Sequence, residues 1–317
     1  MKPALSVLIP AYNAAATIGV AIRSVLNQSF GDFELLVCDD GSSDDTIRVA
    51  EGIADSRMRI IRHGTNRGVA ATRNTLLREA RGAYIVWLDA DDIALPGRLE
   101  RQHAYLEAHP EVDLLFGWIK VRNAAIRQVR YPNDAALLAA WLLFRNPFAQ
   151  STLMARNCFA AEGIYYNEAL AYAEDYEWYL RLRHKRFAML PVFLSSYLAP
   201  PPGRYPEAMA EQVLLPLLRE NFRLFGLAYD DAQRLAFLRF LRSTDAPDDC
   251  IPAILQDLEK ASWPVEAQAG KEAWLALQYF RGLRWASGSL RRRFCWLWLR
   301  RGPLAWLKAW QARVRYA

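Results

Sequence analysis

The chain has 317 residues, 53% of them hydrophobic and 23% charged. Those proportions belong to a globular protein and exclude a disordered, collagen-like or disulfide-scaffold chain. Ten of the 40 basic residues and none of the 34 acidic ones fall within 281–317, so a basic tail is joined to a mildly acidic body.

In chain order, apolar runs at 5–9, 33–38, 58–61 and 83–88 read as strands. Helical spacing fills the gaps at 17–28, 44–54 and 69–80, with Ser43 or Asp44 as the cap of the second helix. Near-continuous apolar strands alternating with helices predict an α/β fold, with a parallel sheet covered on both faces. Further on, the pattern predicts a helix from about Pro96, a strand over 112–121 and a helix over 134–144. A short strand at 151–155, a helix over 174–184 and one or two strands over 187–198 follow. Pro200-Pro201-Pro202-Gly203 breaks the chain and sets a boundary between domains 1–200 and 201–317. The second part reads as helices at 206–225, 230–242, 249–260, 267–286 and 289–315.

Cys38, Cys158, Cys250 and Cys295 stand alone, and the chain has four His, so a zinc site is not indicated. The opening leads straight into a strand with no signal-peptide pattern, and the longest apolar run, 135–144, is about half a bilayer span. A cytoplasmic protein without membrane spans is expected.

Polar groups gather where the predicted strands end, which is where parallel sheets bind ligands. The first strand is followed by Pro10-Ala11-Tyr12-Asn13, the second by Asp39-Asp40-Gly41-Ser42-Ser43-Asp44. After the third come Asn66-Arg67-Gly68 and, one turn later, Arg73; after the fourth, Asp89-Ala90-Asp91-Asp92. No glycine-rich phosphate loop follows the first strand. Acidic strand ends repel bare phosphate, and a divalent cation such as Mg2+ or Mn2+ on Asp89 and Asp91 resolves that conflict. Asp44 is read as a helix cap.

These four segments, with Ser6-Val7-Leu8-Ile9 before the first and Arg73-Asn74 in the third, resemble glycosyltransferase family 2 in order and spacing, over roughly residues 4–200. The resemblance implies a GT-A-type fold, with a mixed, mainly parallel sheet flanked by helices, here followed by a C-terminal helical region. It also implies a nucleotide-sugar donor, a divalent metal and inversion at the anomeric carbon. By that resemblance Pro10, Ala11 and Tyr12 lie along the base and ribose, and Asp39 accepts the N3–H of uracil or thymine. Arg73 lies near the nucleotide, and Asp89 and Asp91 serve ribose and metal, a role Asp92 shares. Glu174-Asp175 resembles the family's Glu-Asp motif, with Asp175 as general base and Glu174 in support. The 146–151 turn is similar to an acceptor-side segment. Processive relatives carry Gln-x-x-Arg-Trp and membrane spans, whereas here Arg284-Trp285 lacks the glutamine.

Residues 285–317 hold five Trp among the tail's basic residues, a composition suited to an anionic membrane surface; no nucleic-acid motif is present. The expected protein is thus a peripheral, non-processive, metal-dependent transferase moving a sugar from a UDP- or dTDP-sugar to a saccharide hydroxyl, with lipid-linked acceptors included, in envelope polysaccharide assembly. The alternatives are an inactive nucleotide-sugar-binding scaffold and a nucleotidyltransferase.

Overall fold

The structure is a computed structural model and describes residues 2–122, 127–199, 207–242, 248–272, 274–275 and 278. The chain divides into two compact units, 1–133 with 148–201 and 134–147 with 202–317. The boundary expected at residue 200 needs one correction: 134–147, expected in the first domain, packs with the second unit.

In the first unit, β1 (Leu5–Ala11), β2 (Phe33–Asp39), β3 (Met58–Arg62) and β4 (Tyr84–Trp87) alternate with α1 (Ile18–Leu26), α2 (Thr46–Glu51) and α3 (Val69–Glu79). All four strands pair in parallel in the order β3-β2-β1-β4. Strands β1 and β4 are buried throughout, as their uninterrupted apolar sequences require. Then come β5 (Ile93–Ala94), α4 (Arg98–Ala108), β6 (Leu114–Arg122), β7 (Arg127–Val129), β8 (Met154–Arg156), α6 (Glu174–Arg181) and β9 (Phe187–Leu198). A helix of the second unit, α5 (Ala135–Leu142), lies between β7 and β8 in the chain. The sheet continues from β4 through β8, β6 and β9 to β5, with β7 on β6. Strand β8 is antiparallel to both β4 and β6, so β6 runs in the same direction as β4. The sheet is therefore mixed and mainly parallel in its first half, as expected. The ends of β1, β2, β4 and β6 share one edge.

One core cluster packs Ile9, Val37, Val86 and Leu88 from the sheet against Ile18, Ile22 and Val25 of α1 and Leu99 and Leu106 of α4. The second unit has its own core. Phe144 stacks on Trp274 at 4.3 Å and lies near Phe225, Phe237 and Trp263. The helices around it are α7 (Glu207–Leu224), α8 (Asp231–Arg242), α9 (Ile251–Lys260) and α10 (Val265–Gln268), together with α5. Buried Asn221 donates to the Leu143 carbonyl at 2.5 Å, which satisfies an acceptor left open where α5 ends. Most of the predicted helices at 267–286 and 289–315, the Pro200–Gly203 break, Cys295 and the basic segment 281–317 lie outside the described residues.

Candidate active site

The loops after β1 and β2 brace each other. Asn13, with a positive φ of 47°, accepts from the Ser43 N–H at 2.9 Å, and its own N–H donates to Ser42 Oγ at 2.9 Å. Asp44 accepts from the Ala15 and Thr46 N–H groups at 3.1 and 3.0 Å and so ties the two loops together; the N-cap position of α2 falls on Asp45, which makes no side-chain cap bond, and not on Ser43 or Asp44 as expected. Pro10 and Ala11 are buried, while the Tyr12 ring projects, 50% exposed.

Asp39 ends β2 and is 3% exposed. Its Oδ2 accepts from the Gly41 and Ser42 N–H groups, both at 3.1 Å. The turn requires glycine at 41: φ is +71°, and a Cβ there would meet the Thr65 carbonyl carbon at 2.7 Å. Asp39 Oδ1 is buried and has no hydrogen-bond partner among the described residues. A buried carboxylate oxygen without a donor is costly, and such atoms mark places where a ligand supplies one. Asp40 is different. Its oxygens accept from His63 Nδ1 and from the Arg67 and Gly68 N–H groups at 2.8–2.9 Å. It holds the Asn66-Arg67-Gly68 loop on the end of β2.

Arg73 is the centre of the site. Its side chain is 5% exposed. Nη2 donates to Asp89 Oδ1 at 2.9 Å, and Nε donates to Glu174 Oε1 at 3.2 Å. The guanidinium lies 5.1 Å from the Trp87 ring and 5.9 Å from that of Tyr166. Burial alone would lower its pKa, but Asp89 and Glu174 overcome that and hold it above its ordinary value. Nη1 is buried without a hydrogen-bond partner among the described residues. One cation thus joins the loop after β4 to the start of α6.

The sequence does not separate the roles of Asp89, Asp91 and Asp92, but their surroundings differ. Asp89 is 28% exposed at its side chain, and its N–H donates to Ser151 Oγ at 3.0 Å. Asp91 is half-buried, and its carbonyl accepts from Arg122 Nη2 at 2.8 Å. Asp92 is 1% exposed and accepts from the Leu198 N–H at 2.8 Å. Burial, then the Asp89 charge, pushes its carboxyl up to about 8. Among the described residues no three His, Cys, Asp or Glu side chains gather as a ready metal cage.

Helix α6 starts at Glu174 after Ala173, whose φ of 57° is strained for a residue with a Cβ. Glu174 is buried. Asp175 Oδ1 accepts from the Tyr176 N–H at 2.7 Å. Burial, then the Glu174 charge, pushes the Asp175 carboxyl up to about 7, with Arg73 opposing. A carboxyl near neutrality suits proton uptake from a hydroxyl.

Sequence reasoning missed the floor of the site. Tyr166 stacks on Trp178 at 4.7 Å and meets Trp87 edge-on at 5.8 Å. Gln150, in the expected 146–151 turn, donates to the Tyr166 hydroxyl at 2.9 Å and accepts from the Tyr179 hydroxyl. Asn74 fixes this floor by exchanging hydrogen bonds with the Tyr166 backbone at 2.7 and 2.9 Å. An asparagine inside a helix is the sequence signal that was available.

Glycosyl transferase family 2 matches residues 6–164. Among curated proteins, the Bacillus subtilis putative glycosyltransferase EpsE is 36% identical over 163 residues, 49% of this chain and 56% of its own. The Escherichia coli UDP-Glc:alpha-D-GlcNAc-diphosphoundecaprenol beta-1,3-glucosyltransferase WfgD is 44% identical over 119 residues, 38% of this chain and 47% of its own. The chain thus spans about half the length of these two. The uncharacterized Methanocaldococcus jannaschii glycosyltransferase MJ1057 is 30% identical over 226 residues, 67% of this chain and 77% of its own. Among solved structures, Staphylococcus aureus TarS 1–349 with UDP-GlcNAc has a TM-score of 0.59 at 21% identity, over 93% of this chain and 89% of that one. The Pyrobaculum calidifontis mannosyltransferase PcManGT, in complex with GDP-Man and Mn2+, gives 0.57 at 19%, over 98% and 87%. At those identities the structures share the fold. The chain belongs to glycosyl transferase family 2.

Proposed function

We propose that this protein transfers a single sugar, with inversion, from a UDP- or dTDP-sugar to a hydroxyl of a saccharide carried on a lipid diphosphate. The observation that carries the reading is Arg73, which ties Asp89 of the donor loop to Glu174 beside the base Asp175. Two carboxylate motifs 86 residues apart in sequence, at Asp89 and Asp175, are brought to one guanidinium, and inverting transfer needs one of them at the leaving group and the other at the nucleophile.

In this reading the base of the nucleotide lies along Pro10, Ala11 and the exposed Tyr12 ring. Asp39 Oδ1 accepts N3–H from uracil or thymine. Cytosine presents no hydrogen there, so the contact discriminates. Asp89 and Asp91 would hold a Mg2+ or Mn2+ ion. Two partly open carboxylates suit an ion that completes its shell with phosphates and water. When bound, the ion supplies charge neutralisation for the departing diphosphate. Asp92 is better placed to fasten β9 than to bind metal, so this reading leaves it out of the ligand set.

Asp175 takes the proton of the acceptor hydroxyl as its oxygen bonds to the anomeric carbon. The bond from that carbon to the diphosphate oxygen breaks on the opposite face, and the electron pair leaves with the nucleoside diphosphate. Glu174 keeps Arg73 in place during this step. The acceptor class rests on the likeness to WfgD, a glucosyltransferase acting on alpha-D-GlcNAc-diphosphoundecaprenol.

No helix among the described residues is long and apolar enough to cross a membrane. A peripheral position on the cytoplasmic face, held by the basic, Trp-rich segment 281–317, fits that composition.

Calorimetric titration of UDP, dTDP, CDP and GDP in the presence of Mn2+ tests the donor assignment. UDP and dTDP should bind at least about tenfold more tightly than CDP, the loss of one good hydrogen bond to a charged group. Equal affinity for all four would overturn it.

A further inference from the structure

Beyond the carboxylates, one face of the sheet carries a row of cations that the reaction above does not use. Along β6, Ile119 and Val121 are buried, while Trp118, Lys120 and Arg122 alternate on the other face and are half-buried. Strand β7 brings Gln128 opposite Lys120, and Arg130 follows directly, exposed. Strand β9 places Phe193 opposite Trp118. The Arg130 guanidinium lies 5.6 Å from the Trp118 ring and 5.5 Å from that of Phe193. The Lys120 ammonium lies 5.9 Å from the Phe193 ring. These cations rest on aromatic faces and not on carboxylates among the described residues, so their charge is open to an anion.

The row is anchored at the active site. Arg122 Nη2 donates to the Asp91 carbonyl at 2.8 Å, and its buried Nε has no partner among the described residues. Strand β6 runs in the direction of β4, so Lys120 and Arg122 stand on the edge where Asp89 and Asp91 emerge. An anion on this row would lie beside the donor loop, on the side toward β9 and away from the Asp39 end of the sheet.

We propose that Trp118, Lys120, Arg122, Arg130 and Phe193 form the subsite for the diphosphate of the acceptor. The cations pair with phosphoryl oxygens, and the two rings cover the first carbons of the attached chain. The proposal rests on the acceptor class given above and adds its recognition site. Such a subsite explains how a sheet edge rich in carboxylates could receive a polyanionic acceptor: the acceptor's charge is met by Lys120 and Arg130 before its sugar reaches Asp175.

The test is calorimetric titration of decyl diphosphate into the 317-residue chain in EDTA, where no metal recruits diphosphate to the donor loop. Wild type is compared with Lys120→Glu and Arg130→Glu. Lys120→Gln and Arg130→Gln serve if the charge reversals fail to fold, as judged by circular dichroism. The subsite predicts that each reversal weakens decyl diphosphate binding at least about tenfold, and each glutamine about threefold, with UDP affinity in Mn2+ unchanged. Unchanged decyl diphosphate affinity in all four variants would overturn the subsite. So would an equal loss of UDP affinity, which would assign the row to the donor. Loss of co-sedimentation with phosphatidylglycerol vesicles, with decyl diphosphate binding intact, would assign it to the membrane surface instead. A wild type that binds decyl diphosphate but no nucleotide sugar would sink the transferase reading while leaving the subsite standing.

Discussion

Arg73 donates to Asp89 at 2.9 Å across the end of the sheet, and the same guanidinium holds Glu174 at 3.2 Å. Helix α3, the loop after β4 and the start of α6 are therefore fixed by one buried cation. Removing it strands two carboxylates. Arg73→Ala should cost about 3 kcal/mol of stability, the lower end for a broken buried pair because Asp89 is 28% exposed. Arg73→Lys keeps the charge but not the two-directional fork, so activity should fall further than stability. Urea unfolding alongside transfer rates checks both; a stable Arg73→Ala protein with full activity would contradict the account.

Asp175 gives a pH prediction. Its carboxyl is pushed from an ordinary 3.8 to about 7 in the fold, so the folded state holds the proton more tightly than the unfolded chain. Its contribution to stability is fully present below about pH 4 and is lost as pH rises through about 7. The base form appears over the same interval, so transfer should rise with pH through an apparent pKa near 7. Asp175→Asn should lower kcat by about 100-fold or more and remove that limb. A pH profile of the residual activity that keeps the limb would assign it to another group.

Asp39 predicts a specificity change. Asp39→Asn can keep its oxygen on the Gly41 and Ser42 N–H groups and place an amide donor where Oδ1 stands. Uracil then loses its acceptor, and cytosine N3 gains a donor. The UDP-to-CDP affinity ratio should fall at least about tenfold, measured by the same titration for both nucleotides. An unchanged ratio would mean that the base is read elsewhere.

Much of this site was legible because strand ends in a parallel sheet are where polar residues must serve a ligand. Asp39 and Asp89 stand at ends of predicted strands, whereas Asp175, in the first turn of a predicted helix, stands out only through the resemblance of Glu174-Asp175 to a family motif. What was not legible depends on distant chain segments. Asp92 is one residue from Asp91, yet β9 buries it, and nothing local distinguishes the two. Arg73 is expected near the nucleotide by resemblance, but nothing local in the sequence announces its pairing with Glu174. The fold shows the same limit. Strands β5 and β7 have two and three residues and exist only through pairing with β9 and β6. In β9 the register jumps past Pro191 and Val192, a bulge that makes one strand read as one or two. Helix α5 follows its sequence, but no periodicity says which core it joins.

Asp92 separates fastening from metal binding. Asp92→Asn keeps an acceptor for the Leu198 N–H and should fold with near-normal stability, whereas Asp92→Ala leaves that N–H bare at a cost of about 1–3 kcal/mol. Equal stability of the two variants by urea unfolding would contradict the fastening role.

We propose Asp175 as the base of a transferase whose donor is held by Asp39, Asp89 and Arg73. Its most direct test is release of UDP or dTDP from a panel of nucleotide sugars with Mn2+, for wild type and Asp175→Asn, together with donor affinity for each. The account predicts that wild type turns over one donor, that EDTA stops it, and that Asp175→Asn binds the same donor with turnover lost. Turnover by Asp175→Asn at the wild-type rate would contradict it.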